Sequence, residues 1–256
     1  MCSSDLEGQP RVTLQVRHPG NRFVERAERE WPLARTEWRR YYLDPADLTL
    51  RTDRAGEGKA SYAALGDGLT FLTAPLPAAT EVTGPVAAKL FISSSTVDAD
   101  LFLVLRVLTP DLKEVAFLGV VDPLTPVGMG WLRASHRKLD RVLSRPYRPY
   151  HTHDEHQPLV PGEVVELDIE IWPTCIAIPP GFRIALSVRG KDYQHAAAGK
   201  LPLAHQRVGP VVPNGVGPFF HDDPRDRPAS VFGGTVTLHC DAARPSHLLL
   251  PVIPST

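Results

Sequence analysis

The sequence predicts an all-β fold, a two-sheet sandwich of jelly-roll type, and three observations predict it. Proline recurs throughout, 26 times in 256 residues, and cuts the chain into short pieces. No long stretch carries the 3.6-residue period of an amphipathic helix, whereas several short ones alternate apolar and polar. One run, Leu101 to Leu108, is apolar on both faces and needs cover on both sides, hence two layers.

Taken in order, the expected strands begin with Arg11 to Arg17, Thr36 to Leu43, Leu69 to Thr73 and Ala87 to Ile92. After Leu101 to Leu108 come Glu114 to Val121 and Gly130 to Arg137. The clearest strand is Glu163 to Trp172, where Val165, Leu167, Ile169 and Ile171 face a core and Glu166, Asp168 and Glu170 face water. Arg183 to Arg189 repeats that pattern, and Gly234 to His239 and His247 to Val252 complete the set. Three long connections remain: Asp44 to Gly68, Ser144 to Gly162 and Lys191 to Ala229. Loops of that length bind, dock or move.

The formal net charge of -1 offers no basic surface for nucleic acid or an anionic membrane. Arg39-Arg40 and Arg137-Lys138 are isolated pairs without an aromatic stacking platform. No apolar run approaches a membrane span. Three cysteines, Cys2, Cys175 and Cys240, give no disulfide framework, and the cytoplasm is the default compartment, with a leader left open. Met1 to Leu6 reads as translated adapter DNA (TGC TCT TCC GAT CT), so native sequence is expected to begin near Glu7; the alternative is an ordinary polar tail.

Catalytic signatures are scarce. No serine has the Gly-x-Ser-x-Gly flanks of a nucleophile elbow, and Ser135 and His136, read as neighbours in a strand, would point to opposite faces. The densest polar cluster runs from His151 to His156. His151 and His153 on an extended segment share a side, and His156 or Glu155 would complete a zinc-type site; the alternative is a solvated loop. Asp98, Asp100 and Asp111 are calcium candidates only if loops converge, and otherwise close their own turns. No cofactor is expected.

Several segments in order resemble one family. Glu81-Val82-Thr83-Gly84-Pro85 is followed by Ala88 to Ser95 and Val97 to Asp100. Then come Gly130 to Arg137, Pro161-Gly162-Glu163, Pro179 to Ile184 and Ser246 to Pro251. Together they resemble the C-terminal domain of the cocaine-esterase and X-Pro dipeptidyl-peptidase (CocE/NonD) superfamily. Phe182 departs from the family's frequent histidine after the Pro-Gly turn, so no polar role is assigned there.

The resemblance implies a galactose-binding-like jelly roll packed on an α/β-hydrolase domain that supplies the whole Ser-Asp-His triad. Residues 44–256 would be the jelly roll, and 7–43 the linker and strand leaving the hydrolase domain, which is the expected partner. The chain alone is then expected to be inactive, as the accessory part of an esterase or dipeptidyl-peptidase. Arg133, Arg137 and Asp140 are candidates for interdomain ion pairs, and Trp31 and Trp131 for apolar anchors. Each charge is otherwise a surface pair worth under about 1 kcal/mol. The alternative is a stand-alone carbohydrate-binding module, against which the four tryptophans, Trp31, Trp38, Trp131 and Trp172, read as dispersed. Homo-oligomerisation is left open.

Overall fold

A computed structural model describes residues 8–53, 56–119, 122–197, 215–216 and 220–254. The expectation for residues 1–6 lies outside them, as does much of the Lys191 to Ala229 connection. Strands in chain order are β1 (Val12–His18), β2 (Arg22–Glu28), β3 (Glu37–Asp44), β4 (Thr49–Arg51), β5 (Gly58–Ala63), β6 (Leu69–Leu72) and β7 (Thr80–Ser94). They continue as β8 (Asp100–Leu108), β9 (Gly128–Arg133), β10 (Val165–Ile178), β11 (Arg183–Arg189), β12 (Thr235–Cys240) and β13 (His247–Ile253).

All are linked in one curled sheet, ordered β2-β1-β10-β7-β13-β3-β4-β6-β11-β8-β9, with β12 pairing β7 and β5. The sheet closes on itself because β9 comes back over β10. Gly130 makes that possible: a Cβ there would lie 2.1 Å from the Glu170 carbonyl oxygen. The result is the jelly-roll sandwich that the alternation predicts. Its main core joins residues of both layers, among them Phe71, Leu90, Leu103, Ile169, Ile184 and Leu250.

The two central strands explain each other. β10 pairs antiparallel with β7, and inward residues Leu167, Ile169 and Ile171 sit opposite Leu90, Ala88 and Val86. Then Trp172 and Pro173 together oppose Pro85, a bulge with one extra residue on β10. Proline on both sides removes ladder donors at that point. Beyond it Thr174, Ile176 and Ile178 are buried, so the inward set passes from odd to even numbers while that of β7 stays even. Gly84, at φ +146, bends β7 beside Pro251, whose ring a Cβ at Gly84 would strike at 2.8 Å.

Four readings of the sequence change. Residues 12–44 are woven into the sheet: β3 pairs β13 and β4, and Tyr41 and Leu43 belong to the main core, so the boundary expected at 43/44 falls inside a strand. Asp44 to Gly68 contains β4 and β5, and Arg22–Glu28 is a strand as well. Glu114 to Val121 forms isolated bridges at Glu114 and Phe117 rather than a strand, with residues 120 and 121 outside the described ones. The strand read as Gly130 to Arg137 ends at Arg133, because Ala134–His136 turns into a 3-10 helix.

Candidate functional site

The turn after β9 is held by a buried carboxylate. Asp98 Oδ1 accepts from the backbone N–H of Ala99 (2.9 Å) and Ser135 (3.0 Å), and its Oδ2 accepts from Ser135 Oγ at 2.6 Å. His156 Nε2 stands 3.9 Å from the same oxygen. A serine bonded straight to aspartate and fully buried has neither a base nor access to substrate. Ser135 and His136 are neighbours in a helical turn, and the strand-face argument that kept them apart does not apply; burial of Ser135 does.

The histidine loop folds onto this turn. His136 Nδ1 and His153 Nδ1 are 3.2 Å apart, so one ring donates to the other. His153 and His156 pack against His136, and His151 against His153; the part of His136 in the cluster was not revealed by the sequence. Among the described residues, no group of three or more His, Cys, Asp or Glu is placed to hold an ion. The calcium candidates diverge too. Asp98 is committed as above, Asp100 pairs with Arg133 and Arg227, and Asp111 bonds Thr109 and Lys113.

Three of the four tryptophans meet on one side, against the expectation that they are dispersed. Trp131 and Trp172 are in edge contact, with ring centroids 5.0 Å apart at 64°. Trp172, 58% exposed at the bulge, also lines a hollow with Trp31, Arg17 and Met129. Arg17 continues this face: it bonds the Val127 carbonyl and Thr174, and lies 4.5 Å over Phe117, which meets the exposed Phe23 edge-on. Burial lowers the pKa of its guanidinium, and no carboxylate among the described residues pairs with it. Leu118 is exposed next to Phe117. The fourth tryptophan, Trp38, stacks on Tyr147 elsewhere.

On the other side of Trp172 lies a cavity of about 480 Å³, walled by Trp131, Phe102, His221 and Glu170. Its floor is an ionic lattice. Arg133 donates to Asp100 (2.9 Å) and Asp226 (3.0 Å) and lies 4.4 Å over Phe232, while buried Arg227 donates to Asp100 at 2.8 Å and to two carbonyls.

Residues 4–249 match the family described as the X-Pro dipeptidyl-peptidase C-terminal non-catalytic domain. The chain belongs to this family. Two proteins of Mycobacterium bovis and Mycobacterium tuberculosis whose names read putative serine esterase are each 38% identical to this chain over 134 residues. That match covers 50% of this chain and 20% of theirs. Among solved structures, a CocE/NonD family hydrolase from Staphylococcus aureus superposes with a TM-score of 0.83 at 23% identity, covering 99% of this chain and 43% of that one. An α-amino acid ester hydrolase superposes at 0.61 and 16% identity, covering 90% and 39%. These two likenesses show the shared fold. The chain spans less than half the length of each of these relatives.

The residues read from sequence as interdomain anchors divide in two. Trp31 and Trp131 lie along the aromatic side with Trp172 between them, and neither the bulge nor the pairing was visible in the chain. The three charged candidates have partners inside the domain. Arg133 is part of the cavity floor. Arg137 donates to the carbonyls of Ala134 and Gln157, fastening the histidine loop. Asp140 accepts from the N–H groups of Val142 (2.8 Å) and Leu143 (2.9 Å), closing its own turn.

Proposed function

We propose that this chain is the C-terminal β-sandwich part of a serine hydrolase of esterase or X-Pro dipeptidyl-peptidase type. It docks on an α/β-hydrolase part through the side bearing Trp31 and Trp172 and walls that part's substrate cleft. The observation that carries this reading is the gathering of exposed Trp31, Trp172, Phe23 and Leu118 around an uncompensated Arg17. Contiguous apolar surface of that kind marks an interface. Interfaces between domains of one protein commonly bury about 600–1,500 Å². An acidic group of the hydrolase part would meet Arg17.

A saccharide-binding role is weaker. Trp131 and Trp172, at 64°, offer no flat two-ring platform for sugar faces.

In trans, the chain is expected to bind the hydrolase part, and Trp31→Ala with Trp172→Ala to weaken that binding at least about tenfold, as for central aromatic anchors. The chain alone is expected to leave p-nitrophenyl esters and Gly-Pro-anilides untouched. Turnover by the chain alone that a fluorophosphonate abolishes, or binding that ignores both tryptophans, overturns the proposal.

A further inference from the structure

We infer that the cavity walled by Trp131 and Trp172 is a binding site for a small organic ammonium ion. Its lining holds two guanidinium groups, Arg133 and Arg227, and three carboxylates, Asp100, Asp226 and Glu170. The first two carboxylates are consumed by the two arginines, leaving Glu170 as the uncompensated charge. Among the described residues, no cation lies within ion-pair distance of Glu170; Arg148 is felt only from farther away.

The position of Glu170 follows from the strand. Residues 170 and 172 are two apart on β10 and point to the same side, so the carboxylate stands beside the exposed Trp172 ring, and Trp131 crosses that ring from β9. Partial burial raises the Glu170 pKa, the mark of a carboxylate short of positive charge. Four histidines also line the cavity, and of these His136 and His153 are bonded to each other. His151 is pushed toward its neutral form by burial, and His221 is bonded to Asp192.

An ammonium ion meets two needs here at once: it neutralises Glu170, and its C–H and N–H bonds face the electron-rich indoles. A free anion meets the uncompensated Glu170 and is repelled. A neutral ligand gains only the apolar contact. The inference deepens the proposed function by naming what one wall of the cleft takes, but the site belongs to this chain and is tested on it alone.

The test is tryptophan fluorescence of the purified chain, titrated with tetramethylammonium chloride, neopentyl alcohol as the neutral isostere, and sodium benzoate, at constant ionic strength. The ammonium ion is expected to give a saturable change at about millimolar concentration, as for a single partly exposed cation–π site. The alcohol is expected to bind at least about tenfold more weakly and benzoate not at all. Glu170→Gln, at an outward position that leaves folding intact, is expected to weaken ammonium binding about fivefold or more, and Arg148→Ala to tighten it about twofold, through charge alone. Equal binding of the alcohol or benzoate, or unchanged affinity in Glu170→Gln at an unchanged melting temperature, overturns the inference. Loss of binding in an unfolded variant is excluded by that melting temperature.

Discussion

The two halves of β10 are made of similar residues and behave differently. From Val165 to Ile171 the strand alternates without interruption, and its inward side chains Leu167, Ile169 and Ile171 are fully buried against β7. From Thr174 to Ile178 it alternates again, equally well buried, with the opposite parity. One residue separates the two regimes. A period-two pattern carries no memory across a bulge, so each half is legible alone and the join is not. The same extra residue leaves Trp172 and Pro173 both outward, and this gives the aromatic side its centre.

The largest effects should come from confusing the two parities. Deletion of Asp168 would turn one half of β10 inside out against β7, and no folded protein is expected by circular dichroism. Deletion of Pro173 removes the extra residue and leaves Thr174, Ile176 and Ile178 facing inward. That variant is expected to fold with a loss under about 2 kcal/mol in urea unfolding. If both deletions unfold the chain, the bulge is a structural necessity rather than a spacer.

Ile169→Asp and Ile176→Asp sit on opposite sides of the bulge at odd and even positions. Each buries an unpaired carboxylate and is expected to cost more than about 4 kcal/mol or abolish folding. Glu170→Lys, one residue along and outward, is expected to change stability by less than about 0.5 kcal/mol. Similar melting temperatures for Ile169→Asp and Glu170→Lys would break the register of the first half.

A smaller effect is expected from pH. Burial depresses His151, His239 and His247 below the ordinary histidine value of 6.5, so the unfolded chain takes up protons first as pH falls. Their contribution to stability is fully present above about pH 6.5 and is lost progressively below it, toward their depressed folded values. His247→Gln, at the most buried of the three, should flatten the stability profile between about pH 7 and 5. A profile unchanged in that window would mean that His247 takes up its proton equally well in the folded and unfolded chain.

The sequence showed the sandwich wherever a strand buries one face. β10, β11 and β13 were readable because inward Ile, Leu and Val recur at every second place. β2 was not: Arg22–Glu28 pairs only with β1 and exposes most of its side chains, so nothing selects an alternating pattern. β5 has Tyr62 as its one buried side chain. Of the site, the types of residue were legible and their grouping was not. Trp31, Trp131 and Trp172 are far apart in the chain, and they are assembled by the return of β9 over β10. Gly128 and Gly130, flanking Met129 in that strand, were the available signal of close approach.

The β1–β2 hairpin has a mechanical consequence. It joins the rest of the sheet through a parallel pairing at Arg17 and Ile176 and rests on a small separate cluster, Leu14, Val16, Leu33 and Ile253. β3, next along the chain, is clamped between β13 and β4. Tension applied at residue 8 therefore loads the hairpin before it reaches the main core. Pulled from that end in an optical trap, the hairpin should detach as a first, short extension at low force, with the sandwich giving way in a separate, larger step. In a tethered assembly such a hairpin is a compliant coupling: it gives under load while the sandwich keeps its shape.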